Sequence, residues 1–101
     1  MPFSPVHAQY FANKMGLIMP VEMFTLEDLA KGMNVELEHG TRDPATNVTK
    51  DDLITTGKIA LAHLREFPDY YSRLEVLEKE ADKFWQGKSK RRTCKRYRLK
   101  I

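Results

Sequence analysis

Cysteine is nearly absent from this chain of 101 residues: Cys94 stands alone, so no internal disulfide can form. A single thiol fits a reducing compartment. Long apolar runs are missing too. None approaches the ~20 residues of a membrane helix, and the first residues lack the charged start and apolar stretch of a signal peptide. The expectation is a soluble intracellular protein with no membrane partner. The usual signatures of chemistry are also missing: there is no Gly-rich phosphate loop, no Cys/His zinc spacing and no supported Ser/His/Asp order. Nothing calls for a cofactor. The adjacent Asp51 and Asp52 read as a helix start rather than an acid–base pair. Asn47-Val48-Thr49 matches a glycosylation acceptor, but triplets of this kind recur by chance. These absences point away from an enzyme.

Acidic residues are missing from one stretch in particular. Residues 88–101 contain none, yet they hold eight of the seventeen basic residues: Lys88, Lys90, Arg91, Arg92, Lys95, Arg96, Arg98 and Lys100. Residues 1–87 keep nine basic residues against fourteen acidic ones, a net −5. The overall +3 therefore hides an acidic body joined to a +8 tail. Such a tail seeks a polyanion or an acidic protein surface, since opposite charge gives affinity without demanding shape. DNA or RNA is one candidate partner, a protein the other. With no base-reading motif, nucleic-acid binding would be blind to sequence.

The rest has the composition of a globular domain, with 42% hydrophobic and 10% aromatic residues. Residues 1–24 form an apolar arm punctuated by Pro2, Pro5 and Pro20, with a short helix expected over His7–Lys14 and Gly16 as its stop. An arm this apolar either covers the core or inserts into a partner. Thr25 opens the first main helix, with Asp28 as capping-box partner and Gly40 as the stop. Residues 41–51 read as a polar loop. A second main helix carries Leu53, Gly57, Ala60, Leu61, Leu64 and Phe67 on its inner stripe and ends before Pro68. The third follows from Asp69, with Tyr70, Leu74, Leu77, Ala81, Phe84 and Trp85 on one side and Gly87 closing it. Asp69/Arg73 and Glu75/Lys79 are charge pairs on its outer face. No segment alternates with period two. The fold class expected is all-α, a small bundle of three main helices at about 26–39, 52–67 and 69–86. In domain terms this gives an N-terminal arm (1–24), a helical domain (25–87) and a basic tail (88–101).

Two constellations invite a chemical reading. Glu36 with His39, and His63 with Glu66, are mirrored pairs three residues apart, each on adjacent turns of one helix face. Bundle metal sites use pairs of this kind. In an antiparallel hairpin His63 would lie eleven residues along from His39's level, roughly 16 Å away. One metal would join them only at a steep crossing or between two chains. The alternative is ordinary helix-edge pairing. In Phe67-Pro68-Asp69-Tyr70-Tyr71, two tyrosines follow a helix break; Tyr70 is expected in the inner stripe, with Tyr71 turned about 100° away and exposed.

The motifs Glu36-Leu37-Glu38-His39-Gly40 and Lys58-Ile59-Ala60-Leu61-Ala62-His63-Leu64-Arg65-Glu66-Phe67-Pro68-Asp69-Tyr70-Tyr71 carry a resemblance. Over roughly residues 24–80 the chain resembles a small family of unknown function seen in bacteriophages, large DNA viruses and some bacteria. The arm and the tail lie outside the resemblance, which brings no activity, ligand or catalytic residue. Its distribution implies a viral source. The leading expectation is thus a non-enzymatic, virion-associated structural or interaction protein, a minor capsid or packaged component located in the virion or inside the host cell. Other assembly proteins would be its partners, and a homo-oligomer is allowed. One alternative is a sequence-independent nucleic-acid-binding protein. Another is a metal-binding helical protein using Glu36, His39, His63 and Glu66.

Overall fold

Helix formation starts earlier than the prolines of the arm suggest. Ser4 is extended and caps: its Oγ accepts from the Val6 N–H, and its own N–H donates to His7 Nδ1 at 3.0 Å. Pro5 then occupies the first helical position, where a missing N–H costs nothing and a fixed φ helps. The result is α1, Pro5–Met15, closed by Gly16 in the left-handed region at φ 72°. This computed structural model describes residues 3–19 and 21–88.

Three longer helices follow: α2 (Leu26–Thr41), α3 (Leu53–Glu66) and α4 (Tyr70–Trp85). Among the described residues there is no strand, so the architecture is all-α. Among the described residues it has four α-helices rather than three, because the arm's helix is part of the bundle. The α2 start has the expected reciprocal cap, with Thr25 Oγ1 and Asp28 Oδ2 each accepting the other's backbone N–H at 3.0 Å. Gly40 does not stop α2, which runs on to Thr41. Its lack of a side chain serves packing instead, since a Cβ there would lie 2.8 Å from Asn47 Oδ1. Asp52 caps α3 by accepting the Thr55 N–H at 2.8 Å, and this bond holds its carboxyl below the ordinary carboxylate range.

The core lies where α1, α2 and α3 meet. Phe11, Leu29, Met33 and Leu64 are its largest fully buried apolar side chains, joined by Phe3, Phe24, Ala60 and Leu61. Two glycines set how closely helices approach. Gly57 on α3 faces the ring of Phe11 on α1, and Gly32 on α2 faces the ring of Tyr71 on α4. Asn34 of α2 pins the start of the chain, donating to the Phe3 carbonyl at 2.7 Å and accepting its N–H at 3.0 Å. The arm therefore covers the core.

The fourth helix is different. Tyr71 is its only buried residue; Leu77 and Phe84, expected inside, are 58% and 59% exposed. Phe67, at the α3 cap, is likewise turned outward. Tyr70 packs half-buried against the core as expected, whereas Tyr71, expected outside, is the more deeply buried of the two. The Asp69–Arg73 pair forms at 2.9 Å, whereas Glu75 turns to Lys31 of α2 at 3.3 Å.

Candidate functional site

The densest polar contacts lie between α4 and the rest of the bundle. Gly32 opens a notch one turn before Glu36 on α2, and the Tyr71 ring fills it. That position brings the Tyr71 hydroxyl to Glu36 Oε2, to which it donates at 2.7 Å. From α3, His63 Nδ1 reaches the same oxygen at 3.0 Å and the Tyr71 hydroxyl at 3.2 Å. The Glu36 carboxylate oxygen accepts from both neighbours, which places a proton on His63 Nδ1. Tyr70 lies flat against the imidazole, with centroids 4.2 Å apart and planes inclined by 7°; Tyr71 stands edge-on to both rings.

Burial decides what this network can do. The Glu36 side chain is only 12% exposed and that of His63 31%. Burial first, then the bond to Glu36, drives the Tyr71 phenol far above its ordinary pKa, so it stays a neutral donor. Burial, then the charges of Glu36, Glu66 and Glu78, raises Tyr70 as well. One turn further along α2, His39 Nε2 meets Glu78 Oε2 of α4 at 2.8 Å. A cavity of about 150 Å³ lies beside these turns, bounded by Glu36, His39 and the loop residues Thr46, Val48 and Thr49. Each polar bond here ties one helix to another. The arrangement orients α4 and fixes the plane of the His63 ring.

Of the four residues singled out for metal binding, the structure joins Glu36 to His63 but gives His39 to Glu78 and leaves Glu66 exposed. Among the described residues no three His, Cys, Asp or Glu side chains gather as a metal ion requires. Sequence reasoning missed Tyr71 and Glu78 as partners. The available signal was Gly32, since a glycine inside a helix marks a close approach one turn from Glu36. Of the eight basic residues of the tail only Lys88 is described; its Nζ donates to the Phe84 carbonyl at 2.8 Å and lies 4.2 Å over the Phe84 ring. Lys90, Arg91, Arg92, Lys95, Arg96, Arg98 and Lys100 lie outside the described residues.

A second surface is apolar. Between α1 and α2 the chain exposes Ile18 (65%), Val21 (73%) and Met23 (80%), beside a groove of about 340 Å³ bounded by Met15, Leu17 and Leu61. Arg65 and Glu22 form an ion pair at its rim, at 2.9 Å. Among the described residues no helix is long and apolar enough to cross a membrane.

The chain belongs to a family described as "Protein of unknown function (DUF5661)", whose family model matches residues 8–80. The match extends the span expected from the motifs: it takes in most of α1 as well as the whole Glu36–His63–Tyr71 network. No curated protein and no solved structure matches the chain.

Proposed function

We propose that this protein is a non-enzymatic attachment component of a larger assembly, a virus particle, held to it by the α1–α2 linker and the basic run. The observation that carries the reading is how the N-terminal segment divides its apolar side chains. Phe3, Ala8, Phe11 and Ala12 are buried in the core, while Ile18 and Val21 face outward on one groove and Met23 stands exposed two residues further along the chain. Scattered exposed apolar residues are ordinary, but a contiguous group with a polar rim is the mark of a contact surface. The occupant is a protein of the assembly: apolar where it meets the linker and acidic where it meets residues 88–101, whose eight cations supply the complementary charge. The viral setting rests on the motif resemblance in residues 24–80.

The test is the composition of purified particles set against that of infected cells. The full-length protein is expected in the particles, and Val21→Asp with Met23→Asp should lower its incorporation while leaving the helical circular dichroism unchanged. Absence from particles alongside abundance in cells refutes the reading. A parallel DNA titration compares the full chain with a variant whose eight tail cations are glutamine. Tight binding that falls steeply with salt and vanishes in the variant would favour the nucleic-acid reading instead.

A further inference from the structure

Along α4, Tyr70, Leu74, Leu77, Ala81 and Phe84 succeed one another at spacings of 4, 3, 4 and 3 residues, and Phe67, the extended C-cap of α3, stands before the first of them. That is the apolar row of a heptad repeat, whose natural occupant is another helix of the same pitch. The body of the protein covers only its first turns, where Tyr70 and Leu74 pack against the core. The remainder is open, as is Phe67, which is 48% exposed; Leu77 and Phe84 are more so. A shallow groove of about 190 Å³ runs along the row between Phe67, Tyr70, Arg73, Leu74 and Leu77.

The charges beside the row select the partner. Arg73 and Glu80 occupy equivalent places seven residues apart, each just before a member of the row, and so stand on the same edge. When two such helices pair antiparallel, this edge meets its own copy, and Arg73, whose ion pair with Asp69 at 2.9 Å is exposed on both sides and open to exchange, faces Glu80 of the partner subunit twice over. Parallel pairing would match Arg73 with Glu78, which His39 already engages at 2.8 Å. It would also bring two bodies to the same end, since α2 and α3 flank only the first half of α4. Antiparallel pairing sets the open half of each helix on the groove of the other. The layers are then Tyr70 on Ala81 of the partner subunit and Leu74 on the partner's Leu77, with the partner's Phe84 reaching the end of the groove that Phe67 lines.

We propose that α4 is a self-association helix through which two copies of this chain pair antiparallel along Tyr70–Phe84. The surface is separate from residues 15–25, so the dimer and the attachment reading stand or fall independently.

The test is sedimentation equilibrium of the full chain at about 0.5 M salt, where attraction between the basic run and the acidic body is screened. A dimer and nothing larger is expected. Leu77→Glu, at an exposed site used twice per dimer, should weaken it by about 100-fold or more with helical content unchanged. With the measurement repeated at about 0.15 M salt, where exposed ion pairs still act, Arg73→Glu should weaken it by about 3- to 10-fold, and adding Glu80→Arg should recover the original affinity to within about 3-fold. A monomer, a larger assembly, a dimer indifferent to Leu77→Glu, or a double exchange that fails to recover would each overturn the proposal.

Discussion

Replacing Gly57 by alanine sets two effects of known sign against each other. In isolation the change should help, because alanine is favoured over glycine inside a helix by about 0.8–1 kcal/mol. In this bundle the new methyl would lie 2.4, 2.5 and 2.8 Å from Cδ1, Cε1 and Cγ of Phe11. The Phe11 ring is fully buried and is held by the core, so it has no solvent to retreat into. Overpacking of this kind typically costs about 1–3 kcal/mol, and contact with three ring atoms belongs at the upper end. The net expectation is a loss of about 1–2 kcal/mol, or about 5–15 °C in Tm for a domain this small. Urea and thermal unfolding followed by circular dichroism would measure it. A double-mutant cycle localises the effect: Phe11→Leu makes room for the methyl, so Gly57→Ala should cost about 1 kcal/mol less in that background. If Gly57→Ala is neutral or stabilising, α1 does not sit on the α3 notch, and the arm is not part of the core.

The remaining predictions concern buried polar groups. Folding raises the Tyr71 pKa, so the folded state holds that proton more tightly than the unfolded one, whose phenol keeps its ordinary value of 10.0. The stability this group contributes is complete below about pH 10 and is lost progressively as pH rises above it. Urea midpoints measured from pH 8 to 11 should fall accordingly. Tyr71→Phe should flatten that slope while lowering stability at neutral pH by about 1 kcal/mol through the lost bond to Glu36. An equal slope in both proteins would contradict the assignment. Thr56 is fully buried, and its Oγ1 has no hydrogen-bond partner among the described residues. Thr56→Val should therefore raise the urea midpoint, with m unchanged, by about 1 kcal/mol of stability; a lower midpoint would show that the hydroxyl is satisfied.

How far the sequence could be read depended on whether a feature was local. The Thr25–Asp28 cap, the Gly16 stop and the end of α3 before Pro68 are settled within four residues of chain, and each was legible. The existence of α1 was legible as well, but its membership of the bundle was not: that depends on Asn34 holding Phe3 and on Phe11 meeting Gly57, contacts spanning 31 and 46 positions. The rotation of α4 was misread for the same reason. Apolarity places Tyr70, Leu77 and Phe84 on one row, and the row is real. Which side of the helix faces the body is set instead by the Gly32 notch and the Tyr71–Glu36 bond, and neither leaves a periodic signal. Glu36 and His63 were found as residues of interest through their spacing to His39 and Glu66. The structure keeps the residues but re-pairs them, because partners on another helix lie nearer than neighbours one turn away.

The way α4 is attached explains why its apolar row can remain open. Helices α1, α2 and α3 hold together by burying apolar surface, an interaction that is strong but tolerates rotation. α4 fully buries one side chain, rests Tyr70 and Leu74 partly on the core, and is otherwise held by directional contacts: Tyr71 and His63 on Glu36, His39 on Glu78, and Lys31 on Glu75. Bonds of this kind contribute modestly to stability once the desolvation of each partner is counted, but they fix orientation. An apolar inner face would have drawn Leu77 and Phe84 inward by rolling the helix about its axis. The polar clasp prevents that roll, because turning α4 by one residue, about 100°, would break the Tyr71 and Glu78 contacts together. Leu77 and Phe84 are thus held outward by bonds on the opposite side of the same helix, which is the condition for them to meet a second molecule.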